Sequence, residues 1–215
     1  MPFRDRADAG RSLAELLLPL RDEDVVVGGL PRGGVPVAAE VAASLGKPLD
    51  VVVVRKLGAP MQPELGVGAI GEEGVVVLNE GLIADIGLTA SQVQRVAAAE
   101  RRELDRRVQV YRGHRGPVPM AGRTAVLVDD GLATGYTARA AVEVARRRRA
   151  DRVVLAVPVA PPEAVDELAA VADDVVAVET PLYMAAVGNW YDDFDQTSDS
   201  EVVELLRRSQ DPGRG

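Results

Sequence analysis

Apolar and polar positions follow two periods along this chain, and the switches between them mark out most of its elements. Leu13, Leu16, Leu17 and Leu20 recur at helical spacing, which predicts an amphipathic helix near the N-terminus. The stretch VVVGGLPRGGVPVAAEVAASLG then predicts a strand from Val25, a Gly-rich turn over 28–34 and a helix to about Leu45. LDVVVVRKLG follows as a second buried strand, so this part of the chain forms one βαβ unit.

Residues 57–74, LGAPMQPELGVGAIGEEG, are rich in Gly and Pro and hold no sustained period, so a long loop is expected there, with short extended pieces such as VVVLN after it. Thr89 and Gln92 have the spacing of a capping box, opening a helix to about Val110 whose inner face carries Val93, Val96, Ala97, Leu104 and Val108. The linker YRGHRGPVP ends it. Beyond lie TAVLVDD as strand, a Gly/Thr loop and helix, RVVLAVPVA as strand, PPEAVDELAAVA as helix and DVVAVETP as strand. A run of βα units with right-handed crossovers gives an α/β fold: a twisted, mostly parallel sheet flanked by helices. From about residue 182 the pattern turns irregular before a last short helix. The expected organisation is one domain over 1–215, with a core over about 22–181 and a small irregular hood over about 182–208.

Composition sharpens this picture. Of the 215 residues 47% are hydrophobic and only 3% aromatic, the Val/Ala/Leu-rich balance of strands buried on both faces. The net charge of -8 argues against nucleic acid as a partner, because phosphate contacts need a clustered basic surface. The four arginines at 146–149 fall at a helix end, where cations complement the dipole, and are expected to form a solvated terminus. With no cysteine, thiol nucleophiles and Cys-ligated zinc are excluded, and a single His114, in the Gly/Pro-rich linker, argues against His-based metal sites and Ser-His-Asp triads. No apolar run suggests a leader or a membrane span, and a cytoplasmic protein is expected.

Three candidate sites sit where ligands bind open parallel sheets, beyond the carboxyl ends of the strands. In VLVDDGLATGYT, Asp129 and Asp130 end a strand, and Ala133, Thr134, Gly135, Tyr136 and Thr137 form the loop that opens the next helix. Successive N–H groups, two hydroxyls and a helix N-terminus suit a phosphate. Two carboxylates beside it would repel that phosphate unless they hold a sugar diol, alone or with Mg²⁺. The bland alternative is a strand-end aspartate capping the next helix. The second site is LPRGG, whose glycines admit an anion to the backbone while Arg32 forks onto phosphate oxygens. It is neither a Walker loop nor a GxGxxG turn. The third is the cationic pair Arg55 and Lys56 after four valines, placed to meet a polyanion or simply to end a strand in solvent.

A strand ending in two acidic residues before an A-T-G-x-T loop resembles the type I phosphoribosyltransferases, which bind 5-phosphoribosyl 1-diphosphate (PRPP) there. LPRGG is similar to that family's diphosphate loop, and VVVVRKLG to its second strand end, in the same order. From FRDRADAG to FDQTSDSEV the chain most resembles a bacterial subgroup of predicted phosphoribosyltransferases with no assigned acceptor. The resemblance implies that Asp129 and Asp130 bind the ribose 2- and 3-hydroxyls and meet Mg²⁺ only indirectly, through PRPP or water. It implies that 133–137 cradle the 5-phosphate, and that Arg32, Gly33, Arg55 and Lys56 hold the diphosphate with Mg²⁺. A cis peptide is expected at Pro31–Arg32 or Arg32–Gly33. The implied activity is transfer of the phosphoribosyl group to a nitrogenous, nucleobase-like acceptor, as in nucleotide salvage, with PRPP sensing or hydrolysis at the same site as alternatives. The family's frequent dimers suggest a homodimer.

Departures from the family pattern bear on the acceptor. Ala133 stands where 6-oxopurine enzymes of the family carry an acidic residue, which argues against hypoxanthine or guanine. Glu64, on the long loop, is the candidate for handling a proton, and equally suits a solvated loop position. Gly131 replaces a branched residue, and Tyr136 a small or basic one. Trp190, Tyr191 and Phe194 lie in the hood, where one ring can stack on the acceptor and any can simply pack.

Overall fold

The computed structural model describes residues 3–132 and 135–210. Helix α1 (Arg6–Leu17) starts where the Asp5 carboxylate accepts from the Asp8 N–H, 2.7 Å away, and runs through a 3-10 turn into β1 (Val25–Gly29). Next come α2 (Gly34–Leu45) and β2 (Leu49–Val51), parallel to β1 with Val27 opposite Leu49, as the βαβ reading requires. A hairpin of β3 (Val54–Ala59) and β4 (Gln62–Gly71) follows, then β5 (Val76–Leu78), α3 (Glu80–Asp85) and α4 (Ala90–Arg112). The second half is β6 (Thr124–Val128), α5 (Tyr136–Arg147), β7 (Arg152–Val159), α6 (Pro162–Ala169), β8 (Asp174–Glu179), a 3-10 turn over Val187–Trp190 and α7 (Asp199–Gln210).

Five strands make a wholly parallel sheet in the order β2-β1-β6-β7-β8, so the α/β fold with a mostly parallel sheet and flanking helices is what the chain adopts. Successive side chains alternate between its faces. Val25, Val27, Val126, Val128, Val154 and Ala156 join the core beneath α1 and α2, whereas Val26, Ala125, Leu127, Val153 and Leu155 join the core beneath α5. The Thr89–Gln92 capping box forms as expected: the Gln92 N–H donates to the Thr89 hydroxyl, and the Gln92 side chain accepts from the Thr89 N–H. Among the described residues no helix is long and apolar enough to cross a membrane.

Three expectations are corrected. Residues 57–74 are mostly strand: β3 and β4 pair antiparallel and β5 joins them in a separate three-stranded sheet. The run of four valines conceals a break between sheets, because Val51 ends β2 and Val54 begins β3. Arg55 and Lys56 therefore lie within the hairpin instead of at the end of a core strand. The arginines at 146–149 are not a solvated terminus throughout. Arg146 pairs with Asp173 at 2.7 Å, but the Arg148 side chain is only 7% exposed and contacts Glu72 at 2.8 Å.

That contact belongs to a buried charge network that ties the hairpin to the parallel sheet. Arg112, at the end of α4, pairs with Asp50 of β2 at 2.9 Å and with Glu72 just beyond β4, and donates to the Val51 carbonyl. Glu72 also accepts from the Val53 N–H and from Arg148, whose Nη1 is buried without a partner among the described residues. Removing one member leaves the others charged in a dry site, which typically costs about 3–5 kcal/mol. Arg112→Met is accordingly expected to lose stability on that scale in urea unfolding, whereas Arg147→Met, with its exposed ion pair to Glu143, should change it by less than about 1 kcal/mol.

Candidate functional site

The site is built where β1 and β6 end level with each other. Gly29 lies opposite Val128, and the Leu30 N–H donates to the Val128 carbonyl at 2.8 Å, so the turn after β1 folds over the start of the acidic pair. The Pro31–Arg32 peptide in that turn is cis, at the first of the two expected positions. Neither Gly33 nor Gly34 has room for a side chain. A Cβ on Gly33 would overlap Asp130 Oδ2, and one on Gly34 would lie 2.8 Å from Asp129 Cα.

Asp129 and Asp130 are half-buried, and the Asp130 N–H donates to Asp129 Oδ1 at 2.9 Å. Burial, followed by the adjacent Asp130 carboxylate, pushes the Asp129 carboxyl well above its usual range. Burial raises Asp130 too, but there it is opposed by a cation, Arg6. Arg6 Nε donates to Asp130 Oδ2 at 2.9 Å, Nη1 donates to the Asp195 carbonyl at 2.7 Å, and the guanidinium sits 4.0 Å from the centre of the Phe194 ring.

Of the phosphate loop, Ala133 and Thr134 lie outside the described residues. Gly135 takes a left-handed backbone with φ 69° and caps α5, which Tyr136 and Thr137 begin; the Tyr136 ring packs on the core beneath α5. Arg32 lies in the turn, with Nη1 3.9 Å from Asp199, an aspartate that also accepts from the Tyr111 hydroxyl at 2.7 Å and Arg106 at 3.1 Å. Burial and that Asp199 contact push the Tyr111 phenol up to about 12. The other expected cations are engaged elsewhere. Arg55 pairs with Glu100 of α4 at 2.7 Å, and Lys56 Nζ donates to the Glu64 carbonyl at 2.5 Å. Glu64 is an exposed residue of β4, and among the described residues no hydrogen bond or ion pair joins its carboxylate to the aspartates.

The hood rings pack. Tyr191 is buried with its ring centre 4.8 Å from that of Phe194 and 5.6 Å from that of Phe3, and its hydroxyl donates to the Asp130 carbonyl at 2.6 Å. Trp190 is half-buried against the same cluster. Residues 3 and 4 pair with the hood backbone: Phe3 N–H donates to the Trp190 carbonyl, and Asp192 N–H to Phe3. Sequence reasoning missed Arg6 and the tyrosine hydroxyl. The signal for Arg6 was there, since a cation in the first turn of a helix opposes the dipole and needs a partner elsewhere.

Comparison with known proteins fits this arrangement. The profile of the phosphoribosyl transferase domain matches residues 5–188. The chain belongs to the phosphoribosyl transferase domain family. Proteins of Mycobacterium tuberculosis strains CDC 1551 / Oshkosh and ATCC 25618 / H37Rv, each bearing the name "putative phosphoribosyl transferase", are 55% identical to it over 207 residues. Those matches take in 96% of this chain and 47% of each relative, so the chain spans about half their length. The crystal structure of TT1426 from Thermus thermophilus is 50% identical, with a TM-score of 0.80 over 96% of this chain and 98% of that one.

For a phosphoribosyl transferase domain, the donor set bears on Mg²⁺. Among the described residues no three His, Cys, Asp or Glu side chains gather to hold a metal. Two adjacent carboxylates fit an ion that carries most of its ligands on a substrate and on water, as Mg²⁺ usually does.

The raised carboxyls fix the sign of a stability test. A folded state that holds its proton more tightly than the unfolded chain gains stability as pH falls and loses it as pH rises through the raised range. Asp129→Asn removes the ionisation, so the ligand-free variant is expected to melt higher than the parent at pH 8, by about 2–4 °C for each kcal/mol recovered, with the gap closing towards pH 4. Scanning calorimetry at the two pH values checks it; a variant that melts lower at pH 8 contradicts the assigned cause.

Proposed function

We propose that this chain transfers the 5-phosphoribosyl group from PRPP to a nitrogenous, nucleobase-like acceptor and releases diphosphate. The observation that carries the reading is the placement, in a member of this family, of two desolvated carboxylates at the end of β6 between the turn after β1 and the N-terminus of α5. A ribose diol donates to carboxylates, while anions suit the flanking turn and helix start, so one phosphorylated sugar satisfies all three.

In this reading Asp129 and Asp130 accept from the ribose hydroxyls and face the positive charge that builds on the sugar ring as its bond to diphosphate lengthens. The loop over 133–137 holds the 5-phosphate through backbone N–H groups. Arg32 and the Gly33 backbone receive the diphosphate, Arg32 exchanging its loose 3.9 Å contact with Asp199 for a phosphate oxygen. Arg55 and Lys56 join only by releasing Glu100 and the Glu64 carbonyl, so Arg32 carries more of this role. Bound Mg²⁺ supplies charge neutralisation on the leaving diphosphate. The acceptor enters on the hood side. The hydroxyl and ring of Tyr191 are already committed to packing, which leaves the half-buried Trp190 as the better stacking candidate.

Incubation of the protein with Mg²⁺, PRPP and a panel of nucleobases, followed by diphosphate detection, tests the proposal. Release that depends on one acceptor is expected. Release without any acceptor would assign hydrolysis instead, and binding without turnover for every base would assign a sensor. Asp129→Asn is expected to weaken PRPP roughly 10- to 150-fold, the value of one charge-assisted hydrogen bond. Unchanged affinity in that variant would move the ribose site elsewhere.

A further inference from the structure

Arg6 is the side chain whose position the fold explains least by helix formation and most by the site. It occupies the first position of α1, where a cation opposes the helix dipole. Yet its side chain is only 12% exposed, and it joins three parts of the molecule at once: Asp130 Oδ2 at the end of β6, the Asp195 carbonyl and the Phe194 ring of the hood. A guanidinium has a planar fork of donors, so fixing Nε and Nη1 on two acceptors fixes its plane, and with it the carboxylate that Nε engages.

The same oxygen is crowded by the turn after β1 as well. The space a Gly33 side chain would fill lies against Asp130 Oδ2 and 3.1 Å from Arg6 Nε. Oδ2 thus has Arg6 and the turn backbone as close neighbours, which limits how the carboxylate can rotate. The residues that carry Arg6 are themselves anchored, because Phe3 and Arg4 pair with the hood backbone at Trp190, Asp192 and Asp193.

We propose that Arg6 is a positioning residue for the phosphoribosyl site: it clamps Oδ2 of Asp130, which fixes the orientation in which the carboxylate meets a ribose hydroxyl, and it makes this geometry depend on the packing of the hood against the N-terminal segment. This rests on the PRPP reading above. Arg6 touches neither substrate nor reacting atoms; it acts through Asp130.

The test compares two ligands on intact protein with Mg²⁺ present: PRPP, which carries the ribose, and inorganic diphosphate, which does not. Calorimetric titration of Arg6→Gln should show PRPP weakened at least about tenfold, with diphosphate changed by less than about twofold. Arg6→Lys, which keeps the charge and one donor, should recover part of the loss. In an Asp130→Ala background the Arg6→Gln change should add less than about twofold, because the group it positions is gone. If Arg6→Gln fails to fold, Arg6→Lys carries the test alone, with a smaller loss of PRPP affinity that still leaves diphosphate changed by less than about twofold. Equal losses for both ligands, or a full Arg6→Gln effect in the Asp130→Ala background, would overturn the positioning role and leave the PRPP reading standing. Failure of the unmodified protein to bind PRPP would overturn both.

Discussion

The site depends on one constraint of the parallel sheet: β1 and β6 end level, with Gly29 opposite Val128. Because the strands stop together, the turn after one must pass over the residues that follow the other. The Leu30 N–H closes on the Val128 carbonyl, and the chain then passes so near Asp129 and Asp130 that only glycine fits at 33 and 34. Desolvation of the two carboxylates follows from that crowding, as does the need for a cation. Arg6 supplies it from a point 124 residues away in sequence.

An arrangement that holds two carboxyls above their ordinary range works against the folded state, and the rest of the molecule must offset it. Two features do so at a distance. The alternating valines of β1, β6 and β7 bury both faces of the sheet, and the Asp50–Arg112–Glu72–Arg148 network fastens the antiparallel hairpin to it. Neither feature touches the aspartates. Crowding and desolvation are concentrated at the strand ends, where a ligand can relieve the desolvation, while well-paired structure lies away from the site.

What was legible in the sequence is what local chemistry dictates. Valine runs mark the core strands, Thr89 and Gln92 cap α4, and the VDDGLATGYT segment places an acidic pair at a strand end and the start of a helix shortly after it. Two things were hidden for different reasons. The hairpin was read as a loop because its strands are built from glycine and small residues, with the register shifting around Gly58, so neither alternation nor β-branched side chains announce it. The valines at 51–54 read as one strand because a change of sheet between Val51 and Val54 leaves hydrophobicity unaltered. Arg55 and Lys56 were consequently placed at the wrong strand end. The Tyr191 hydroxyl was hidden because its partner is distant in sequence; Arg6 stood out as a cation at a helix start, but only tertiary packing shows that its partner is Asp130.

The hood gives Gly131 a reason that the sequence did not. A Cβ there would lie 2.5 Å from Val187 Cγ1 and 3.1 Å from Val159 Cγ1, so the residue after the acidic pair is glycine because the hood packs directly onto the backbone at that point. The absence of a side chain at 131 therefore opens no space for an acceptor; Val187 already fills it. Val187 belongs to the 3-10 turn over Val187–Trp190, and that turn is fastened by the Trp190–Phe3 pairing to the segment that delivers Arg6. On the phosphoribosyl transfer proposed above, grip on the sugar and the shape offered to the acceptor would be joined through one short stretch of backbone, so a change in hood packing would alter both together.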